Sequence, residues 1–395
     1  IRSGSVLMPE INSTISSMSI PQTRYFSNKA SDYDDAVNLT LGVPDFDTDP
    51  LIKQALVDAF ADKKSLKYSH NAGLIELRQA IRDYYFNKYH AHFDPEDQII
   101  VTAGGSEAID SSLRTILEKG DQVIIPQPAY PAYQAIVTML GGEVIPIDTS
   151  ETNFVLSPQQ VEEKITPKTK AIILNYPTNP TGVSVNQDQA QALVKVIKDH
   201  DIFLLSDEIY GENSLTQDHI SFSQFPEIKD QAIIINGLSK SHAMTGWRLG
   251  YLLSSKKLTP SILIPHLNNT ICASLPSQYA GLAALKHGLH IPQKMNQAYR
   301  ERLAYLVQRL DKMGLDYSKP QGSFYIFPSI KSYDPNAFNF CLNLLEDQHL
   351  AVVPGSAFGQ AGEGYIRISF ATSLDQLEEG MDRLETFLST YSTGD

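Results

Sequence analysis

Seven short apolar runs between residues 98 and 253 constrain the fold of this chain more than any other feature. Gln98–Thr102, Gln122–Ile125, Gly142–Ile147, Lys170–Leu174, Ile202–Leu205, Ala232–Ile235 and Leu249–Leu253 are continuous rather than alternating. A strand with one wet face alternates apolar and polar residues; a strand covered on both faces does not need to. The intervening segments carry helix signals. Ser157-Pro158-Gln159-Gln160 supplies an N-cap, a first-turn proline and a capping-box glutamine. Asn186 with Gln189 repeats the box ahead of Leu193, Val194 and Ile197, which share one helical face. Such alternation predicts an α/β fold with a mostly parallel sheet between helices.

Beyond about Leu289 the rhythm changes. A helix is expected from about Met295 to Met313, with Tyr299, Leu303, Leu306 and Leu310 on one stripe. A strand at Phe324–Phe327, a helix near Ala337–Glu346, a strand at Tyr365–Phe370 and a last helix near Leu374–Leu388 follow. We therefore expect a large α/β domain over residues 49–289 and a smaller α+β domain over 290–395. The N-terminal segment, 1–48, should pack with the smaller domain, because Val37–Gly42 does not begin the alternation.

A net charge of −13 argues against nonspecific nucleic-acid binding, and no apolar stretch approaches the length of a membrane span. Cys272 and Cys341 form neither a CxxC pair nor a metal-spaced cluster, so no metal is expected. Both read as small core residues in a reducing compartment, the cytoplasm. Ile1-Arg2-Ser3-Gly4-Ser5 has no methionine and no apolar h-region, and reads as an appended remnant rather than a signal peptide.

Several motifs carry chemistry, most of them just after a predicted strand. In Ser239-Lys240-Ser241-His242 the lysine follows the run Ala232–Ile235. A lysine at the end of a buried strand is costly unless neutralised or bonded; a Schiff base to a carbonyl cofactor removes that cost and uses the amine. Arg248, in the same loop, could hold that cofactor's phosphate. Thr102-Ala103-Gly104-Gly105-Ser106 leads from a strand into a helix, where glycines admit an anion to backbone N–H groups; a plain tight turn is the ordinary alternative. In Asn175–Gly182, Pro177 and Pro180 stiffen the loop and could fix the Asn179 amide. Asp207 and Tyr210 end another strand, where ligands of open α/β sheets bind; the acid could hold a protonated heterocycle or simply be a solvated strand end. Arg367 lies between Ile366 and Ile368 in an apolar strand and needs an anion, either a ligand carboxylate or an acid across a domain interface.

In this order the motifs resemble the class I/II aminotransferases of pyridoxal-phosphate fold type I, from about Arg24 to Leu388. The matching residues are Tyr68 ahead of Gly73, Gly104-Gly105-Ser106, Tyr130 in Pro128-Ala129-Tyr130-Pro131, Asn179, Asp207 with Tyr210, Lys240 with Arg248, and Arg367. Ile235–His242, Phe324–Ser332 and Val353–Ser356 are most similar to the branch called aminotransferase A, with its N-acetyl-L,L-2,6-diaminopimelate aminotransferases. The resemblance implies a seven-stranded sheet, pyridoxal 5′-phosphate as cofactor, an L-amino acid and a 2-oxo acid such as 2-oxoglutarate as substrates, and a homodimer with shared sites. It also implies residue roles. Lys240 binds the cofactor covalently and moves the proton, and Asp207 faces the ring nitrogen. Tyr210 and Asn179 bond the phenolic oxygen, and Tyr130 stacks on the ring. Gly104, Gly105, Ser106 and Arg248 take the phosphate, with Tyr68 from the partner subunit. Arg367 takes the substrate carboxylate, and Gly42 lies in the segment that closes over it.

Two departures bear on those roles. Gly237 stands where some relatives have a phosphate-binding serine, so Ser239 is the candidate substitute. Ser106 stands where acidic-substrate members of a sister branch have a lysine, which argues against aspartate as preferred donor. The alternatives to an N-acetyl-diaminopimelate donor are an aromatic amino-acid aminotransferase and a carbon–sulfur β-lyase on the same fold. A cofactor-sensing DNA-binding regulator would need an extension that the polar residues ahead of the fold do not supply.

Overall fold

The computed structural model describes residues 9–62, 64 and 66–391. The appended remnant expected at Ile1–Ser5 lies outside the described residues. After β1 (Val37–Asn38), seven strands form one sheet: β2 (Ile99–Thr102), β3 (Gln122–Gln127), β4 (Glu143–Asp148), β5 (Thr169–Asn175), β6 (Phe203–Asp207), β7 (Ala232–Gly237) and β8 (Gly250–Leu253). Their order is β2-β8-β7-β6-β5-β3-β4. Only β8 runs against its neighbours, pairing antiparallel with both β2 and β7.

Both faces of the sheet are covered. Ile125, Ile173, Leu205, Ile233 and Leu252 pack on one side with the helices Gly105–Ile116 and Pro131–Met139. Ile124, Ile172, Leu204, Ile234 and Leu253 belong to the core on the other. Neighbours along a strand point to opposite faces, so two covered faces produce the continuous apolar runs. Each such side chain, fully buried, contributes about 1.5–3 kcal/mol of transfer free energy. The helices Pro158–Glu162 and Gln187–Asp199 both begin with complete capping boxes, Ser157 with Gln160 and Asn186 with Gln189.

The C-terminal part holds β9 (Tyr325–Ile326), β10 (Leu350–Ala351), β11 (Val353–Pro354) and β12 (Ile366–Ser369). β12 lies antiparallel between β11 and β9. β1 pairs in parallel with β10, Val37 opposite Leu350. Arg383 donates to the carbonyls of Asp35, Gln348 and His349, which ties the N-terminal segment to this part. The long helix spans Ile291–Met313 and so begins ahead of the expected Met295. Pro292 sits in its first turn, where a missing N–H has no helical partner to lose. Cys341 is buried, but Cys272 is only partly so. The chain turns at Ile271, which has a φ of 64° and is itself exposed, and that turn carries Cys272 toward the surface rather than into the core. Among the described residues no helix is long and apolar enough to cross a membrane, and no cluster of His, Cys, Asp and Glu is placed to hold a metal ion.

Candidate active site

The sheet register places the candidate residues on one edge. Asn175 lies opposite Asp207, Asp207 opposite Ile235, Gly237 opposite Gly250, and Gly250 opposite Thr102. The carboxyl ends of β2, β5, β6 and β7 therefore meet the start of the reversed β8, and Arg248 arrives beside the loop that carries Lys240. This is the edge at which open α/β sheets bind ligands.

Asp207 is 6% exposed, not a solvated strand end. Burial pushes its carboxyl up to about 6, although hydrogen bonds to Tyr133 and the Ile209 N–H pull the other way. Tyr133 Oη donates to Oδ2 at 2.6 Å and the Ile209 N–H to Oδ1 at 3.1 Å. One strand over, Asn175 Nδ2 donates to the Asp207 carbonyl at 2.8 Å, while its Oδ1 accepts the Asn179 N–H at 3.0 Å. The Asn179 side chain in turn accepts from Arg367 Nη1 at 2.9 Å. A chain of hydrogen bonds thus links the strand-end acid to the arginine of β12.

Arg367 is buried, with its Cζ 4.3 Å from the Tyr325 ring centre and 5.0 Å from that of Phe358. Its Nη2 donates to the Thr40 carbonyl at 2.6 Å, and its Nε has no partner. Among the described residues no carboxylate pairs with it, so the interdomain salt bridge is not made. A buried guanidinium with an orphaned N–H is costly until an anion arrives.

Lys240 Nζ donates to the Gly42 carbonyl at 2.6 Å. Burial, then the charges of Arg367 and Arg248, lower its pKa to about 8 against the opposing pull of Asp207. Gly42 is tightly seated, since a Cβ there would meet Tyr325 Oη at 2.7 Å. Tyr210 Oη lies 2.9 Å from the same Tyr325 hydroxyl.

At the other end of the edge the helix Gly105–Ile116 begins. The N–H groups of its first turn have no helical carbonyl, and its dipole favours an anion there. Gly104 precedes it with a φ of 81°, and a Cβ on Gly104 would strike Arg248 Nη2 at 2.6 Å. Arg248 is held at a φ of 52°, a backbone conformation that costs a non-glycine residue about 1 kcal/mol or more. Its Nη1 donates to the Thr245 carbonyl at 3.0 Å, and among the described residues it has no acidic partner. Ser239 is buried in the lysine loop. Tyr130 is 37% exposed, its ring meeting that of Tyr133 edge-on at 5.4 Å. Tyr68, 77% exposed in the connection between the helices Pro50–Ala61 and Ile75–Tyr89, is not hydrogen-bonded to the other candidates within the chain.

The sequence reading did not single out Tyr133, Asn175, Thr40 or Tyr325. Tyr133 had a signal: it follows Tyr130 by one helical turn, on the face that carries Tyr130 toward the edge. Tyr325 had none, because its partners lie far away in the chain.

A buried acid, a lysine whose pKa burial lowers to about 8, a glycine cradle against one arginine and a second arginine lacking an anion fit pyridoxal phosphate with a carboxylate substrate. The comparisons agree. A model of the family "Aminotransferase class I and II" matches residues 34–384. A Bacillus subtilis protein named "Probable N-acetyl-LL-diaminopimelate aminotransferase" is 44% identical over 378 residues, 96% of this chain and 95% of the relative. Aromatic-amino-acid aminotransferase 2 of Thermococcus litoralis is 37% identical over 89% of this chain and 91% of its own. The crystal structure of aspartate aminotransferase from Thermotoga maritima superposes with a TM-score of 0.90 at 36% identity, covering 96% of this chain and all of that one (100%). The chain belongs to the class I and II aminotransferases and is a pyridoxal-phosphate-dependent transaminase of fold type I.

Proposed function

We propose that this transaminase moves the amino group of N-acetyl-L,L-2,6-diaminopimelate to 2-oxoglutarate, as a cytoplasmic homodimer serving lysine biosynthesis. The donor assignment is supported by likeness to the Bacillus subtilis relative, whose name specifies that substrate. The residue roles rest on one observation: Arg367 of the small sheet reaches, through Asn179, the edge of the large sheet that carries Asp207 and Lys240, and it is left without an anion.

Pyridoxal phosphate supplies the electron sink that makes the substrate Cα proton removable, and carries the amino group between half-reactions. The chain supplies the rest. Lys240 is the base, and with a pKa of about 8 it is about half in the free-amine form near pH 8, where an ordinary lysine is almost all charged. Arg367 takes the substrate α-carboxylate through its orphaned side, with Asn179 and Thr40 fixing the fork. Asp207 faces the cofactor's ring nitrogen as a carboxylate, a form that burial disfavours until a cation arrives. Tyr210 and Asn179 hold the phenolic oxygen, and Tyr130 covers the ring. Gly104, Gly105, Ser106, Ser239 and Arg248 hold the phosphate, joined by Tyr68 from a second subunit. Residues 49–289 form the large domain, 290–395 the small one, and 1–48 the segment that docks on it and brings Gly42 over the lysine.

The test is a donor panel with 2-oxoglutarate as acceptor, compared by kcat/KM. N-acetyl-L,L-diaminopimelate should lead. An aromatic amino acid or aspartate ahead of it by tenfold or more refutes the donor assignment, and pyruvate and ammonia released from cystathionine as the main reaction would replace it with β-lyase chemistry.

A further inference from the structure

Tyr325 meets Tyr210, Arg367 and the Gly42 position at the inner end of the site. Its ring is buried in β9, where its backbone lies opposite Ser369 of β12. Its hydroxyl is 2.9 Å from Tyr210 Oη, with the two rings crossing at 76°. Its ring lies 4.3 Å from the Arg367 guanidinium carbon. Gly42, whose carbonyl accepts from Lys240, leaves room for the same hydroxyl, which a Cβ there would meet at 2.7 Å. The titratable and charged groups facing Tyr325 are Tyr210, Arg367, Tyr299 and, further off, Tyr130, and those facing Tyr210 include Arg367 and Asp207.

A hydroxyl has one proton to donate, so one of the two tyrosines must accept from the other. If Tyr210 gives its proton to the cofactor's phenolic oxygen, it can only accept from Tyr325. A donor that itself accepts a hydrogen bond is polarised and donates more strongly, by roughly 10–30% per bond. We propose that Tyr325 is a positioning residue of the transamination: its hydroxyl commits the Tyr210 proton to the phenolic oxygen, and its ring face holds Arg367 in register for the substrate carboxylate. This rests on the assignment of Tyr210 to that oxygen. The two tyrosines lie on different parts of the fold, β9 and the loop after β6, so their contact joins the C-terminal part to the strand-end residues.

The experiment uses the holoenzyme and two readouts besides activity. The first is the pH titration of the visible absorbance of the lysine-bound cofactor in wild type, Tyr325→Phe, Tyr210→Phe and the double variant. Tyr210→Phe should raise the apparent pKa by about one unit or more, the loss of a charge-assisted bond. Tyr325→Phe should raise it by roughly 0.1–0.3 of a unit, about a 1.3- to twofold change, in the wild-type background and by nothing in the Tyr210→Phe background. A shift in Tyr210→Phe with none in Tyr325→Phe overturns the proposal alone, as does an equal Tyr325→Phe shift in both backgrounds, the signature of a structural effect. No shift in Tyr210→Phe removes Tyr210 from the oxygen and the proposal with it. A 3-fluorotyrosine in place of Tyr325 keeps the volume and donates more strongly, so it should lower the pKa; a rise refutes the donor direction. The second readout is the dissociation constant of maleate, a carboxylate that does not react. Tyr325→Phe should leave it within about twofold, while Tyr325→Leu, which removes the ring face, should weaken it about fivefold. Equal effects of Phe and Leu overturn the second half of the proposal.

Discussion

Replacing Asp207 with Asn should stabilise the cofactor-free chain while crippling the enzyme. In the fold this carboxyl titrates near 6 rather than 3.8, and each unit is worth about 1.4 kcal/mol, so its ionised form costs the apoprotein about 3 kcal/mol. The sign follows from the raised value. The stabilising contribution is complete below pH 3.8, where the group is protonated folded or unfolded, and is lost as pH rises through 6. Asn keeps the neutral form at every pH but can accept from only one of Tyr133 and the Ile209 N–H on its single oxygen, a loss of about 1 kcal/mol. The variant should therefore be about 2 kcal/mol more stable than wild type at pH 8, and about 1.5 kcal/mol of that gap should open between pH 5 and pH 8. Urea unfolding of both apoproteins at the two pH values, followed by the fluorescence of the single tryptophan, Trp247, measures this directly. Cofactor affinity should fall in parallel by roughly 100-fold, because the ring nitrogen loses a buried counter-charge. A stability gap that is the same at pH 5 and pH 8 would refute the reasoning, since it would mean that burial does not raise the Asp207 pKa.

Lys240→Ala should fold at least as stably as wild type, lose cofactor on dialysis and turn over roughly 10⁴-fold more slowly; normal multiple turnover would remove the lysine from the reaction. Burial opposes charge on His266, yet Glu107, which also accepts the Ala103 N–H, outweighs it and holds the imidazole pKa above its ordinary 6.5. This stability is present below pH 6.5 and lost as pH rises through the raised value, so apoprotein melting temperature should decline on that alkaline limb, and Glu107→Gln should flatten it. Mixing Lys240→Ala subunits with Tyr68→Ala subunits should restore up to about one quarter of wild-type activity if sites are shared, because half the dimers then carry one intact site. No recovery after exchange would mean that Tyr68 does not complete its partner's site.

Much of this was legible in the sequence for identifiable physical reasons. Strands buried on both faces advertise themselves as unbroken apolar runs, and capping boxes such as Ser157 with Gln160 are local, so neither needs tertiary knowledge. Asp207, Asn179 and Lys240 stood out because each follows such a run. What could not be read was whatever depends on distant contact. Tyr133 reaches Asp207 across 74 residues, Tyr325 reaches Tyr210 across 115, and Thr40 reaches Arg367 across 327. Whether Cys272 faced the core or solvent depended on the backbone at Ile271. The start of the Ile291–Met313 helix was missed because proline, a breaker inside helices, is at home in a first turn.

The single reversed strand has a metrical consequence. Because β8 returns antiparallel beside β7, the loop between Gly237 and Gly250 leaves and re-enters the sheet at one hydrogen-bonded point. On the roles proposed above, the lysine that would tether one end of the ligand and the arginine that would grip the other are jaws of one short closed ring of chain, like the two arms of a caliper fixed at the hinge. The gap between them is set by backbone closure at Gly237 and Gly250 more than by the distant packing of the small sheet. An added residue in 241–247 would have to displace the buried Ser241, His242 and Met244. It would open the caliper, and the site would then measure for the wrong molecule.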